Sequence, residues 1–152
     1  MTGYRERLVP GIGTVLACLL IAPGTFVVFL PISPTLGVVA AALLTVVVEG
    51  LLVVLAPVLR VEDGELVAGR AHIDAALTGA PEAFRAAEAT AARGVGLDAR
   101  AWTVLRGWVD PVVRVPILDP DDPSPYWLLS TRRPEELIAA LEAAKRASAA
   151  NP

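Results

Sequence analysis

The sequence has one cysteine, Cys18, and one histidine, His72. A lone thiol closes no intramolecular disulfide, so the fold does not depend on an oxidising compartment. A lone imidazole with no reactive cysteine beside it builds neither a zinc site nor a Cys–His pair. No phosphate-cradling glycine loop is present, because Gly94-Val95-Gly96 lacks the third glycine and the lysine. Ser130 and Thr131 have no histidine nearby in sequence and no nucleophile-elbow pattern. An excess of basic charge is missing too: the net charge is −3. Nucleic-acid modules carry a basic face, so nucleic acid is not an expected partner. The largest absence is of charge altogether. The 41 residues from Leu8 to Val48 include no Asp, Glu, Lys or Arg. That excludes a wholly soluble globular protein, and it excludes a disordered one.

What fills the uncharged stretch is apolar. One helix across about 30 Å of hydrocarbon needs about 20 such residues, and the stretch is about twice that long. Pro31-Ile32-Ser33-Pro34 lies at its middle, and proline ends or kinks helices. The pattern predicts two spans, 9–30 and 35–59, joined by a tight loop into an antiparallel hairpin. Arg5, Arg7 and Arg60 flank the hairpin and the loop has no basic residue, which predicts both termini in the cytoplasm. Pro23 is expected to kink the first span just before Gly24. Gly37, Ala41, Thr45 and Glu49 recur every four residues, a small and polar stripe on one helix face. Gly13, Ala17 and Gly24 are the small residues available on the facing span, with Ala41 expected opposite Gly24. The expected second span centres on residue 47, placing Glu49 near mid-bilayer. An intramembrane acid is a functional candidate. With no second acid or base beside it in sequence, support of hairpin packing or oligomerisation is the favoured role for Glu49. Val15-Leu16-Ala17-Cys18 faintly resembles a lipoprotein cleavage box, but the apolar run continues past it, so Cys18 reads as a packing residue.

From Arg60 the pattern changes to turns and period-two alternation. Asp63-Gly64 is a hairpin turn. Extended segments are expected at 65–68, 70–73, 99–106, 112–118 and 126–131. A helix is expected at 82–93, closed by Gly94. A second is expected at 134–147, with Pro134 first, Glu135 and Glu136 in its first turn and Lys145 and Arg146 at its end. The expected organisation is a tail and transmembrane hairpin over 1–59, a cytoplasmic α+β domain over 60–147, and a disordered tail over 148–152. The domain is an antiparallel sheet covered by a C-terminal helix.

Several segments together carry a resemblance. They are Tyr4-Arg5-Glu6-Arg7-Leu8, Asp63-Gly64-Glu65-Leu66, Ala68-Gly69-Arg70-Ala71, Asp98-Ala99-Arg100-Ala101, and the long motif from Asp119-Pro120 through Tyr126-Trp127-Leu128 to Ser130-Thr131-Arg132-Arg133-Pro134. The chain resembles the bacterial domain-of-unknown-function family numbered 3093 over nearly its whole length. The resemblance implies a small alanine-rich protein of high-GC bacteria, with two spans and a cytoplasmic domain. It implies no activity. In outline the domain is also similar to pleckstrin-homology modules, a likeness of fold and not of function.

The candidate binding residues are Arg132, Arg133, Trp108, Tyr126 and Trp127. Arg132 and Arg133 precede a helix start, where anions bind. The competing reading, and the favoured one, is an internal salt bridge to the Asp119–Asp122 loop. That loop has the carboxylates of a cation site but neither the glycine turn nor the closing glutamate. The aromatic residues offer either a recognition surface or core volume, and core volume is the commoner use. No catalytic residue, metal or cofactor is expected. The sequence reads as a non-enzymatic inner-membrane protein that presents a cytoplasmic interaction domain. Its expected partners are the lipid bilayer and a protein or a second copy of itself. The alternative is a small accessory subunit of a transport or envelope machine, with Glu49 in its membrane part.

Overall fold

The computed structural model describes residues 3–150. The chain divides into two units. One joins the segment ending at Leu8 to the segment beginning at Pro57, and the other is Val9–Ala56. The expected boundary at residue 59 therefore moves to residue 56, and the N-terminal residues expected to be a tail belong to the sheet unit. The physical reason is strand pairing. Strand β1 (Tyr4–Arg7) pairs antiparallel with β2 (Val58–Glu62), from Tyr4 opposite Val61 to Arg7 opposite Val58. The Leu8 N–H then bonds the Pro57 carbonyl at 3.0 Å. The chain leaves the sheet unit and returns to it at hydrogen-bonded neighbours.

Val9–Ala56 is helical. Helices α1 (Ile12–Leu19) and α2 (Ile21–Phe29) form one apolar run, and α3 (Pro34–Val54) forms the second. Both runs are long and apolar enough to cross a membrane. The break in the first falls at Leu20, a turn upstream of where the sequence predicts it. Pro23 has no N–H for the Leu19 carbonyl and its ring crowds that oxygen, so the ladder opens at residue 19 to 20. Helix α3 starts cleanly: Ser33 caps it by accepting from the Leu36 N–H at 3.4 Å, and Pro34 is its first residue. It ends at Val54, five residues short of the expected end. Glu49 therefore lies midway between the centre of α3 and its end, five residues or about 7.5 Å of rise from each.

The small stripe of α3 is half used. Gly37 and Ala41 are its buried residues, and Thr45 returns its hydroxyl to the Ala41 carbonyl at 2.8 Å. The close approach is to Phe26: a Cβ on Gly37 would lie 3.1 Å from the Phe26 ring and 3.2 Å from its carbonyl oxygen. Gly24, expected opposite Ala41, and Gly13 have open space around them. A Gly37→Leu substitution is expected to splay α2 from α3, because backbone on the far side cannot yield. Thermal unfolding of the hairpin helices in micelles, followed by circular dichroism, measures this, and an unchanged midpoint would contradict it.

In the sheet unit, β2, β3 (Glu65–Ala68) and β4 (Ala71–Asp74) continue from β1 as an antiparallel sheet in the order β1-β2-β3-β4. Asp63 and Gly64 both have positive φ, 53° and 83°, the two-residue turn that suits the strand twist. The second sheet has the order β5-β7-β8-β6, from β5 (Glu82–Phe84), β6 (Trp102–Val104), β7 (Val112–Pro116) and β8 (Tyr126–Ser130). Its β6–β8 pair is parallel, so the sheet is mixed and not purely antiparallel as expected. The start of the expected 82–93 helix is strand β5, and helix α4 begins at Ala86 and ends at Arg93. Helix α5 (Pro134–Ala150) runs three residues past the expected end, so Ser148–Ala150 are helical where a disordered tail is predicted. The remainder of that tail lies outside the described residues.

Alternation decides what is inside. Leu59 and Val61 of β2, Leu66 and Ala68 of β3, Val113 and Val115 of β7, and Trp127 and Leu129 of β8 share one core with Leu137 and Leu141 of α5. The two leucines are four residues apart and form the buried stripe of that helix. The other face of the second sheet carries Val112 and Leu128 against Ala89 and Ala92 of α4. The architecture is α+β, with two long apolar N-terminal helices followed by sheet and a closing C-terminal helix.

Candidate functional site

Two polar clusters stand out in the sheet unit. The first begins with Glu6, which alternation on β1 turns inward and leaves 7% exposed. A buried carboxylate needs partners. Tyr4 donates its hydroxyl to Glu6 Oε2 at 2.6 Å, and Thr131 donates its own to the same oxygen at 2.6 Å. The two hydroxyls lie 2.8 Å apart. Glu6 Oε1 accepts from the Arg132 N–H at 3.1 Å and lies 3.7 Å from the Arg132 guanidinium. Arg133 lies over the Tyr4 ring at 5.1 Å, donates to the Arg5 carbonyl at 2.8 Å and pairs with Glu136 at 2.9 Å. Its own N–H bonds Thr131 Oγ1 at 3.0 Å. The segments Tyr4–Arg7 and Thr131–Arg133 thus form one knot, which pins the chain before the apolar unit to the start of α5.

Arg132 and Arg133 do pair internally, with Glu6, Glu136 and the Arg5 carbonyl where the sequence predicts the Asp119–Asp122 loop. The loop carboxylates fold back on their own backbone. Asp119 accepts from the Asp121 N–H at 3.0 Å and Asp122 from the Ser124 N–H at 2.8 Å. Prolines at 120, 123 and 125 shape the loop around those turns.

Burial pushes the Tyr4 hydroxyl well above its ordinary pKa, and its bond to Glu6 adds to the shift. The unfolded tyrosine ionises near pH 10 and the folded one does not, so Tyr4 contributes stability that is full below pH 10 and falls as pH rises beyond it. Between pH 10 and 11.5 the urea midpoint is expected to drop, and Tyr4→Phe is expected to flatten that drop while lowering the midpoint at pH 8. Equal alkaline slopes in the two proteins would count against this assignment.

The other sequence-predicted site residues are dispersed. Trp127 is 3% exposed and belongs to the core, tilted against Trp102 at 6.5 Å. Trp108 is half-buried with Arg106 over its ring at 5.9 Å. Tyr126 faces the opposite side of the sheet from Trp127. Its hydroxyl accepts from the Asp98 N–H at 2.7 Å and donates to the Gly96 carbonyl at 3.2 Å. Asp98 in turn pairs with Arg100 at 3.1 Å, which holds the exposed carboxyl below its usual range. Glu49, in the other unit, has Oε1 buried with no hydrogen-bond partner among the described residues. Ser130 is fully buried and accepts from the Arg106 N–H at 3.1 Å, so neither hydroxyl of the Ser130-Thr131 pair is presented as a nucleophile.

The second cluster contains a residue that sequence reasoning missed. Arg114 on β7 places its guanidinium 4.8 Å from the Phe84 ring centroid and 4.9 Å from that of Tyr126. Its Nε is buried without a partner among the described residues. The only hint in the sequence is an arginine at an alternate position within Val112–Pro116. A separate groove of about 410 Å³ runs along α5, walled by Ala140, Ala143, Ala144, Ala147 and the Glu62–Gly64 turn. Its Glu62 carboxylate pairs with Arg60 at 3.8 Å.

No curated protein and no solved structure matches the chain. One family model does, and it takes in both motifs that form the Glu6 knot. It is described as a protein of unknown function (DUF3093) and matches residues 3–141, so the chain belongs to that family.

Proposed function

We propose that the chain is a non-enzymatic integral membrane protein, anchored by the Val9–Ala56 hairpin, that presents its sheet unit in the cytoplasm as an interaction domain. The observation that carries this reading is the apolar surface of the hairpin. Ile12 is 78% exposed, Leu20 72%, Val28 70% and Val46 70%. Apolar surface on that scale needs a lipid or protein solvent. The lengths of the two helical runs suit lipid. The flanking Arg5, Arg7 and Arg60 support cytoplasmic ends and a bacterial inner-membrane location. Two four-stranded sheets around one core, closed by a C-terminal helix, support a pleckstrin-homology-like architecture. That likeness is one of fold and assigns no ligand.

The test is extraction and labelling. The protein is expected to stay in membranes at alkaline pH in carbonate. In a Cys18→Ser background, Ser33→Cys is expected to react with an impermeant maleimide from outside the cell, and Ser148→Cys only after permeabilisation. Release by carbonate, or the reverse labelling, would overturn the reading. A second reading, an accessory subunit of a transport or envelope machine, draws on the buried and unpartnered Glu49 Oε1. It expects Glu49→Gln to abolish co-purification with membrane partners. An interaction domain in the sheet unit expects those partners to be retained.

A further inference from the structure

Arg114 is built unlike the other arginines of the sheet unit. Its guanidinium lies between two aromatic rings, Phe84 on β5 and Tyr126 on β8, at 4.8 and 4.9 Å. Stacking of this kind satisfies the faces of the cation and leaves its edge, where the N–H groups lie, unused. Among the described residues the edge has no partner. Nε is buried with no bond, and neither Nη bonds a described residue. A carboxylate was within reach and is not used. Glu82 sits directly opposite Arg114 across the β5–β7 pair, yet no ion pair forms between them. The walls are themselves fixed, because the Tyr126 hydroxyl is tied to the Asp98 N–H and the Gly96 carbonyl, and Phe84 packs on the Val112–Leu128 cluster.

We propose that Arg114 is the receptor for a carboxylate presented by a protein partner. With Nε buried, the two Nη groups form the open end of the fork, and a planar cation held at fixed orientation suits a planar anion that takes two parallel N–H bonds from them. One guanidinium fork matches a single negative charge and not a doubly charged phosphate. The ring edges give the carboxylate an apolar surround. The proposal names partner chemistry for the interaction domain and rests on that reading for the partner being a protein. Binding at Arg114 and membrane insertion of Val9–Ala56 are measured separately, so either can fail alone.

The experiment uses the full chain in detergent micelles, with arginine labelled at 15Nε. The probes are acetate and the blocked tripeptide acetyl-Ala-Glu-Ala-amide, titrated at constant ionic strength against chloride. The Arg114 Nε–H resonance is expected to shift in a saturating manner with both, while that of Arg70 does not. Arg114→Lys, which keeps the charge and loses the fork, is expected to weaken tripeptide binding at least tenfold, followed at the Gly96 and Asp98 amides. Glu82→Gln is expected to tighten it two- to fivefold by removing the like charge across the strand. A thermal melt of Arg114→Lys within a few degrees of the parent shows that the loss is one of binding. Equal shifts of Arg114 and Arg70, or no saturation, would overturn the site. Tighter binding of dimethyl phosphate than of the carboxylates would overturn the carboxylate assignment in favour of a lipid phosphodiester.

Discussion

Replacing Glu6 with alanine is expected to cost the sheet unit about 3 kcal/mol. The carboxylate is 7% exposed and accepts from Tyr4, Thr131 and the Arg132 N–H. Its removal strands three donors in a space that water reaches poorly, each worth about 1–3 kcal/mol when left unmade. Two effects soften the loss. The Tyr4 and Thr131 hydroxyls, 2.8 Å apart, can bond each other once the acid is gone. The Arg132 side chain is 38% exposed and returns to water, so its ion pair contributes little. For a unit of this size a loss of about 3 kcal/mol lowers the melting temperature by roughly 12–24 °C. Glu6→Gln keeps one oxygen and the shape, and is expected to cost about half as much. Urea unfolding in micelles, followed by tryptophan fluorescence, measures both. A cost under about 1 kcal/mol for the alanine variant would show that the knot is not a stabilising element. Loss of the knot is also expected to free β1 first, because β1 is an edge strand with a single partner.

The knot shows what the sequence could and could not convey. Asp63-Gly64, Ser33-Pro34 and Pro134-Glu135-Glu136 act within a few residues of themselves, and each fixes its turn or helix start where the sequence puts it. Tyr4-Arg5-Glu6-Arg7 has no such local signal. Four residues with three charges read as a polar flank of a span, and its partner strand begins 50 residues later, beyond the hairpin. Glu82–Phe84 fails in the same way: an alanine-rich context reads as helix, but pairing with Val112–Arg114 makes it strand. Parallel pairing of β6 with β8 is equally non-local. For the candidate site, the pairing of Arg132 and Arg133 was legible as chemistry, while the identity of the acid was not. The nearer Asp119–Asp122 carboxylates are consumed by their own turns, and the buried acid comes from the opposite end of the chain. Arg114 was invisible because its meaning depends on two rings brought from 30 residues before it and 12 after it.

Trp127→Ala is expected to be the most damaging single substitution considered, at about 3–5 kcal/mol. The ring is 3% exposed, lies in the core shared by both sheets and α5, and tilts against Trp102 at 6.5 Å. Nothing replaces that volume, since the neighbouring Val115 and Leu129 sit on strands whose register is set by backbone bonds. Small domains are stable by about 5–15 kcal/mol in total, so the variant is expected to unfold early or lose cooperative unfolding. Trp127→Phe separates the contributions. The indole Nε1 is buried with no hydrogen-bond partner, so phenylalanine removes volume without breaking a bond and even removes an unsatisfied donor. Its expected cost is about 1–2 kcal/mol, set by the smaller cavity. Near-ultraviolet circular dichroism is expected to lose the paired-tryptophan signal in both variants. A surface recognition role would give the opposite pattern, with stability unchanged and partner binding lost. An unfolding midpoint for Trp127→Ala equal to that of the parent would overturn the core assignment. The order Ala worse than Phe, both through stability, is what a ring used for volume and not for its N–H requires.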